Sequence, residues 1–314
     1  MGARGRTSVE RSPSSKSKLT YAEFLRRFPD TDACLEWLKQ KRWPDGIPCD
    51  SKRCQGKVRN HHKIAGRQAY ECDVCRHQVY PTKGTIFQKS STSLQLWFYA
   101  IFLMAATRCG ISAKQLEREL GVTYPTAWRM FREIRSLLSE PDLRLAGKIE
   151  ADETYFAPSR RLGSRTGKRD TSREQTVIGM VERGGRIVAI HVGAATTMAV
   201  DAAFETHVLP GSMVFTDEHR VYGNLGKRGY YHRRIKHAAK VYVSGEIHTQ
   251  TIEGFWSLVK RGIGGVYRSV SAKHLQAYLD EYAFRYSHRE DARAMFDVML
   301  DRLAAGTSPA PKPA

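Results

Sequence analysis

Three carboxylates of this 314-residue chain lie at positions that could support chemistry. Asp152 lies in the alternating segment KIEADETYF, Asp217 follows the apolar end of SMVFT, and Glu253 lies in the helix-like segment TIEGFWSLVKRG. Carboxylates that share a pocket repel one another, so such a group is stable when divalent cations neutralise it. Two hard cations can activate a water or a 3′ hydroxyl on one side of a phosphate and stabilise the leaving oxygen on the other. The chemistry predicted for such a group is phosphoryl transfer on nucleic acid.

Each of these acids also has an ordinary structural interpretation. Asp217 could end a strand in a turn, and Glu253 could be a solvated helix residue. The first segment contains three acids in EADE, and strand alternation places Glu150 and Asp152 on one face and Glu153 on the other. Alternation therefore leaves Glu150 and Asp152 as equal candidates for the metal ligand.

Cations follow these acids along the chain. Lys260 comes seven residues after Glu253, which is two helical turns along the same face, so it could hold a DNA phosphate beside the metal ions. Residues 219–245 contain seven Lys and Arg residues and no Asp or Glu, which predicts contact with the DNA backbone. Residues 155–175 contain six Lys and Arg residues against two acids, and we expect a mobile loop there that becomes ordered on DNA.

Four of the six cysteines form two closely spaced pairs, Cys49 with Cys54 and Cys72 with Cys75, separated by seventeen residues. Each pair can present two thiolates to one tetrahedral zinc ion, and a hairpin between them would bring the pairs together. Four thiolates leave no open position for a substrate, so the predicted zinc ion is structural. The alternatives are two disulfides or four buried thiols, and the lack of a signal peptide disfavours disulfides.

Helical periodicity dominates the rest of the first half of the chain. It predicts two short helices within 21–40, interrupted at Pro29, and an interior helix over 93–107 that is apolar nearly all round. The two remaining cysteines, Cys34 and Cys109, stand alone in apolar surroundings, and we expect both to be buried core thiols.

A helix-turn-helix pattern follows in the segment ISAKQLERELGVTYPTAWRMFREIRSLL. One predicted helix ends at Leu120, Gly121 permits a sharp turn, and a second helix spans 124–137. On this second helix Arg129 and Arg132 could face DNA. The alternative is a helical hairpin that only packs, because any two short helices can be joined in this way.

The period of the pattern changes at residue 148 and predicts an α/β layer. Three strands in a meander are followed by an amphipathic helix, a short buried strand, a further strand and two closing helices. This order is compatible with a ribonuclease H-like fold built on a mixed five-stranded sheet. In that arrangement the first and fourth strands lie side by side and a late helix packs across them, so that Asp152, Asp217 and Glu253 would converge.

The motif blocks EADETYF, VFTDEHRVY and HTQTIEGFWSLVKRG, in this order and spacing, resemble those of IS1595-type insertion-sequence transposases, the ISXO2-like group with a DDE catalytic domain. The four-cysteine ribbon and the GTIF segment that follows it are also similar to that family. The resemblance covers roughly residues 20–290. One departure is Gln250, where a typical block has Asn, and this change puts only a secondary contact in doubt.

The resemblance implies a metal-binding triad of Asp152, Asp217 and Glu253, followed by Lys260 as the basic residue. It implies two Mg²⁺ or Mn²⁺ ions at the triad, one structural Zn²⁺, and a transposase that binds terminal inverted repeats and catalyses DNA cleavage and strand transfer. Assembly on two element ends would need a homodimer or a higher oligomer. The alternatives are a DNA-binding regulator without catalysis and a metal-dependent nuclease without strand transfer.

Composition agrees with a DNA partner and excludes several classes. The chain carries 51 Lys and Arg residues against 32 Asp and Glu residues, for a formal net charge of +19, and 41% of its residues are hydrophobic. That apolar content can form a core, so disorder of the whole chain is excluded. The apolar run 96–106 is too short to span a bilayer, and the N-terminus lacks a secretory h-region. We therefore expect a soluble cytoplasmic protein that associates with the nucleoid and with double-stranded DNA, not with membranes.

The predicted organisation has five parts. They are a disordered basic N-terminus (1–16), a helical lead-in with a zinc ribbon (17–88), a helix-turn-helix region (89–145), a ribonuclease H-like domain (146–290), and a helix end with a disordered tail (291–314). The residues predicted to contact DNA are Arg129, Arg132, Arg228, Arg233, Arg234, Lys236, Lys240 and Arg261.

Overall fold

The first part of the chain forms two capped helices that enter an aromatic core. The computed structural model describes residues 19–156, 174–235, 248–291 and 294–304. The predicted N-terminal segment (1–16), the end of the predicted C-terminal segment (305–314), most of the predicted loop over 155–175, and both Lys236 and Lys240 lie outside these residues. Helices α1 (Tyr21–Arg27) and α2 (Thr31–Arg42) confirm the predicted pair, and the Asp30 side chain caps α2 by accepting a hydrogen bond from the amide of Ala33.

A small antiparallel sheet follows the first two helices. Its strands are β1 (His61–Lys63), β2 (Tyr70–Cys72) and β3 (Gln78–Val79). The hairpin between β1 and β2 lies between the two cysteine pairs, as the spacing predicts.

Three helices then complete the N-terminal core. They are α3 (Leu94–Ala106), α4 (Ala113–Leu120) and α5 (Tyr124–Ser136). The α3 helix is the predicted interior helix, and its Trp97 and Phe98 rings are buried. Gly121 joins α4 to α5 in the left-handed conformation, with φ 64°, which glycine adopts without steric cost.

The second part of the chain is a mixed five-stranded sheet covered by helices on both faces. The strands are β4 (Lys148–Phe156), β5 (Gln175–Glu182), β6 (Ile187–Val192), β7 (Met213–Thr216) and β8 (Tyr231–Arg234), in the spatial order β6-β5-β4-β7-β8. The first three strands pair antiparallel, whereas β7 pairs parallel with both β4 and β8. The mixed sheet and the adjacency of the first and fourth strands agree with the prediction.

Helices cover this sheet according to the alternation of its strands. Helix α6 (Thr197–His207) packs on the face that carries Ile149 and Ala151. Helices α7 (Gln250–Gly262) and α8 (Ala272–Ser287) cover the opposite face. Residues 263–267 form a π-helical turn that continues α7.

Helix α8 joins the two halves of the structure through a buried ion network. Its Tyr278 and Phe284 pack into the N-terminal core, while Leu279 packs against the sheet. Glu281 is fully buried and accepts hydrogen bonds from Arg135 Nε of α5 at 2.6 Å and from Arg285 Nη2 at 2.7 Å. A buried carboxylate between two guanidinium groups is strongly destabilised when one partner is removed, so this network fixes α8 against α5.

Two sequence expectations are wrong. A further helix, α9 (Met295–Ala304), follows α8, whereas only a helix end and a tail were expected after residue 290. Its Phe296 and Leu300 are buried in the N-terminal core against α2 and α3, so the chain returns to its first half. Cys34 is buried as expected, but Cys109 is exposed because it lies in the turn after α3 rather than in the core.

Within the described ranges, no helix is both long enough and apolar enough to span a membrane.

Candidate active site and zinc site

The four paired cysteines meet in one group beside the small sheet. Their sulfur atoms all lie within 4.8 Å of one another. Cys49 Sγ lies 3.4 Å from Cys75 Sγ, and Cys54 Sγ lies 3.9 Å from Cys72 Sγ. The Ser51 hydroxyl donates a 3.0 Å hydrogen bond to Cys75 Sγ, and this bond is the main cause that lowers the pKa of Cys75 to about 6. Four sulfur ligands at this spacing, one of them readily ionised, fit a tetrahedral zinc ion.

The parallel pairing of β4 with β7 brings two of the predicted metal ligands close together, one in β4 and one directly after β7. Glu150 lies opposite Phe215 in this pairing. Asp152, in the middle of β4, and Asp217, directly after β7, each follow that residue pair by two positions, so they lie at the same level on adjacent strands. Asp152, Glu153, Asp217 and Glu253 are called the acidic group below.

Asp152 is a largely buried carboxylate with a raised pKa. Its Oδ2 atom accepts a 3.1 Å hydrogen bond from the Trp256 indole of α7. Burial is the main cause that raises the pKa of Asp152 to about 7, and the negative charges of Glu153, Asp217 and Glu253 add to it. The carboxylates therefore lie close enough to repel one another, which is the condition that a bound cation relieves.

A glycine in the neighbouring strand makes room for this indole. Gly179 of β5 lies directly opposite Asp152. A Cβ atom at Gly179 would lie 2.3 Å from Trp256 Cζ2, a distance that real Cβ atoms essentially never show. The missing side chain therefore lets Trp256 approach the sheet closely enough to reach Asp152.

The turn after β7 is held by Glu153. The His219 amide donates a 2.9 Å hydrogen bond to Asp217 Oδ1, and the His219 Nδ1 atom lies 3.6 Å from Glu153 Oε1. The Tyr222 hydroxyl donates a 2.6 Å hydrogen bond to Glu153 Oε2. Burial, together with the nearby acids, raises the pKa of Tyr222 well above its usual value, so this phenol stays a donor. Glu153 therefore ties the segment that carries Asp217 to β4.

Glu253 lies on the exposed side of α7, and Lys260 is exposed two turns further along that helix. The Thr249 hydroxyl donates a 2.9 Å hydrogen bond to Glu253 Oε1. The side chain is therefore held at the first turn of α7 while remaining open to solvent.

Glu150, the alternative to Asp152, does not face solvent. Its carboxylate is fully buried and accepts hydrogen bonds from Arg183 Nε at 2.7 Å and from the amides of Thr251 and Ile252 at 2.7 and 3.2 Å. As alternation predicts, it shares the α7 face with Asp152, but its oxygens are occupied by protein donors. The geometry therefore favours Asp152 over Glu150 as a metal ligand.

The acidic group is open rather than closed into a cage. Among the described residues, the four cysteines are the one group of three or more His, Cys, Asp or Glu side chains with all ligand atoms within 4.8 Å of one another. The three predicted ligands do not form such a ready-made cluster. Oxygen donors suit Mg²⁺ and Mn²⁺, and Mg²⁺ usually keeps waters and substrate phosphates in its coordination shell. The donor set thus fits a hard cation that is shared with a phosphate.

The predicted DNA-contacting cations lie in different surroundings. Arg129 and Arg132 are exposed on α5, and Arg261 is exposed on α7. Arg233 and Arg234 are exposed on β8, where Arg234 pairs with Thr216, the residue before Asp217.

Arg228 differs from the other cations because acids of α6 neutralise it. Its guanidinium forms ion pairs with Asp201, at 3.1 Å, and with Glu205. The run 219–245 contains no acid in sequence, yet the fold supplies two. Arg228 is therefore less available to a phosphate than its sequence neighbourhood suggests.

Several residues around the acidic group were not identified from the sequence. They are the indole donor Trp256, the glycine opposite Asp152, and the tyrosine and histidine that bind Glu153. One signal was present, because a glycine inside the apolar strand segment VIGMV indicates close approach of another group. The others depend on which elements pack together.

Comparisons with known proteins identify the family. A model of the ISXO2-like transposase domain matches residues 144–287, and a model of the transposase zinc-ribbon domain matches residues 29–78. An uncharacterized protein in transposable element ISH50 of Halobacterium salinarum is 30% identical over 275 residues, which is 83% of this chain and 92% of the relative. The chain belongs to the ISXO2-like transposase family. The resemblance seen in the motif blocks is therefore confirmed.

The two family matches contain the acidic group and the cysteine group respectively. The ISXO2-like transposase domain contains the whole sheet and the acidic group, and the zinc-ribbon match contains all four paired cysteines. Among solved structures, a pre-cleavage Mos1 transpososome covers 62% of this chain and 74% of that chain, with 10% identity and a TM-score of 0.24. A TM-score this low supports no argument about fold or function.

The cysteine group predicts one zinc ion per chain. Protein purified without chelators should release one equivalent of zinc, and Cys72→Ser should release none, because one of four ligands is lost. Elemental analysis of the purified proteins measures this. The matched control is Cys109→Ser, which removes an exposed thiol outside the group and should keep the zinc. Zinc retained by Cys72→Ser would contradict the assignment.

The raised pKa of Asp152 predicts an unusual pH dependence of stability in the metal-free protein. Between about pH 4 and pH 7 the unfolded chain has released this proton while the folded chain retains it, so the free energy of unfolding falls as pH rises. The loss should be on the order of 2–4 kcal/mol, measured by urea denaturation in EDTA. Asp152→Asn should not show this fall in the free energy of unfolding, and it should be more stable than the wild type at pH 8.

The control for this measurement is Asp142→Asn, which removes an exposed carboxyl outside the acidic group and should keep the wild-type slope. An Asp152→Asn variant with the same slope as the wild type would show that burial and repulsion at this position are not as described.

Proposed function

We propose that this chain is an active DNA transposase that binds the terminal inverted repeats of its element and catalyses metal-dependent strand cleavage and strand transfer. The observation that carries the proposal is the acidic group, with Asp152 in β4, Asp217 directly after the adjacent parallel strand β7, and Glu253 close enough for its charge to act on Asp152. Membership in a transposase family supports the same conclusion.

We further propose that the catalytic domain is ribonuclease H-like. The strand order β6-β5-β4-β7-β8 supports this, with three antiparallel strands followed by two parallel ones and helices on both faces. The carboxylates of this fold class lie on the central strands and on a late helix. The acidic group of this chain has the same distribution.

Asp152, Asp217 and Glu253 would hold two Mg²⁺ or Mn²⁺ ions. When bound, these ions neutralise the carboxylates and favour attack of a water or a 3′ hydroxyl on a DNA phosphate. The chain itself orients the ligands: the Trp256 indole fixes one oxygen of Asp152, and the His219 amide fixes one oxygen of Asp217. Fixed ligands need less reorganisation when charge develops on the phosphate.

Cations around the acidic group would hold the DNA backbone during the reaction. Lys260 and Arg261 lie on the exposed side of α7 beyond Glu253, and Arg233 and Arg234 lie on β8 beside the strand that carries Asp217. Phosphate contacts of this kind position DNA without specifying its sequence. Recognition of the terminal repeats would fall to the zinc ribbon and to Arg129 and Arg132 of α5, and assembly on two ends to a dimer or higher oligomer.

The test uses a labelled DNA fragment that carries the terminal repeats, incubated with Mg²⁺ or with EDTA. Asp152→Asn, Asp217→Asn and Glu253→Gln should each lower cleavage and joining by at least roughly 100-fold, the scale on which one preorganised electrostatic group acts. DNA binding, measured by gel shift, should remain. Glu218→Gln is the matched control, because this exposed acid follows Asp217 directly and should retain wild-type cleavage.

Metal-dependent cleavage that survives Asp152→Asn would overturn the triad. Binding without cleavage or joining by the wild type would favour a DNA-binding regulator. Cleavage without joining would favour a nuclease.

A further inference from the structure

The buried carboxylate of Glu150 lies where three elements meet beneath the acidic group. It belongs to β4, its backbone pairs with Phe215 of β7, and its side chain reaches the first turn of α7. There it accepts hydrogen bonds from the Thr251 amide at 2.7 Å, the Thr251 hydroxyl at 2.9 Å and the Ile252 amide at 3.2 Å. One side chain thus connects a helix to the centre of the sheet.

Arg183 contacts the same three elements as Glu150, and the two side chains with their partners are called the Glu150 junction. Its Nε atom donates to Glu150 Oε1 at 2.7 Å, and its Nη2 atom donates to the carbonyl of His248 at 2.8 Å, just before α7. Its guanidinium carbon lies 4.2 Å from the centre of the Phe215 ring of β7. The buried ion pair therefore has further polar and aromatic partners beyond its own two charges, as a buried charge requires.

Each of the three elements carries a predicted metal ligand two residues beyond its contact with Glu150 or Arg183. Asp152, Asp217 and Glu253 each lie two residues after a member of this junction, which are Glu150, Phe215 and Thr251 respectively. A shift of α7 relative to β4 would therefore change the separation of Glu253 from both aspartates.

The capping of α7 shows why the helix needs an external carboxylate. Thr249 occupies the N-cap position but makes no side-chain capping bond. Its hydroxyl donates to Glu253 Oε1 instead. Glu150 satisfies two free amides of the first turn, those of Thr251 and Ile252, and places negative charge at the positive end of the helix dipole. Because Glu150 caps the helix, Thr249 is left to orient Glu253.

We propose that Glu150, supported by Arg183, is a positioning residue that sets the height of α7 over the sheet and thereby the separation of Glu253 from Asp152 and Asp217. It acts through the helix and contacts neither metal nor DNA. The proposal rests on the proposed function, since the geometry that it sets is that of the metal ligands.

The test compares Glu150→Gln with the wild type in two measurements that need no DNA. Glutamine keeps the size of the side chain but loses the charge and one acceptor oxygen. Mn²⁺ affinity, measured by calorimetry, should fall about 10- to 100-fold, as for other residues that orient metal ligands. Hydrogen exchange at the Thr251 and Ile252 amides should become at least about tenfold faster, because both donate to Glu150.

The matched control is Glu281→Gln, which alters another fully buried carboxylate held by arginines, but away from the acidic group. It should lower stability while leaving Mn²⁺ affinity and exchange at the start of α7 unchanged. Equal losses of Mn²⁺ affinity in both variants would overturn the proposal, since Glu150 would then act only through general stability. So would wild-type Mn²⁺ affinity and wild-type exchange in Glu150→Gln.

If Glu150→Gln fails to fold, Arg183→Lys provides the same test. Lysine keeps the charge but cannot bind Glu150 and the His248 carbonyl through a planar fork, so Mn²⁺ affinity should fall about tenfold. Wild-type affinity in this variant would overturn the proposal.

Failure of the proposed function has a different signature. Wild-type protein that binds Mn²⁺ but does not cleave DNA would refute the transposase activity and leave the positioning role standing. Wild-type protein that binds no Mn²⁺ would refute the metal triad. In that case, comparing hydrogen exchange at the start of α7 in Glu150→Gln with that in Glu281→Gln would still decide whether Glu150 holds α7.

Discussion

Repulsion among the carboxylates of β4, of the turn after β7 and of the first turn of α7 is the constraint that the surrounding structure has to satisfy. Burial and the charges of Glu153, Asp217 and Glu253 raise the pKa of Asp152 to about 7, so without a cation part of the charge is removed by proton uptake. Charges held this close would move apart unless their neighbours fixed them. The Trp256 indole restrains the member on β4, and a tyrosine and a histidine tie the turn after β7 to the same strand.

The same sheet is joined firmly to the helices that precede it. Glu281 of α8 binds Arg135 of α5, one helical turn beyond Arg132, which is predicted to contact DNA. Arg285 of α8 in turn donates to the carbonyl of Thr107 after α3, at 2.6 Å. Helix α9 adds apolar contacts by returning to the N-terminal core. The predicted recognition helix and the acidic group are therefore parts of one packed structure rather than modules on a flexible linker.

Local patterns in the sequence predicted the elements well, because period and spacing are local properties. The cysteine spacing predicted the four-sulfur group, and the change of period at residue 148 predicted the mixed sheet. Alternation could not separate Asp152 from Glu150, because both side chains face α7. Only the packing of α7 shows that its first turn binds the Glu150 carboxylate and leaves Asp152 available to a metal ion. Helix α9 was expected only as a helix end and not as a separate element, although Phe296, Met299 and Leu300 have helical spacing. Similarly, no local pattern revealed that acids of α6 neutralise Arg228.

If Asp152, Asp217 and Glu253 together bind divalent cations, anomalous diffraction from crystals soaked in Mn²⁺ will locate the ions among them. We expect Mn²⁺ peaks bounded by these three carboxylates, with Glu150 outside the coordination shell and still bound to Arg183 and the first turn of α7. Crystals of Asp152→Asn should lose or weaken those peaks. Mn²⁺ bound elsewhere, or bound by Glu150 in place of Asp152, would refute the assignment of the three metal ligands.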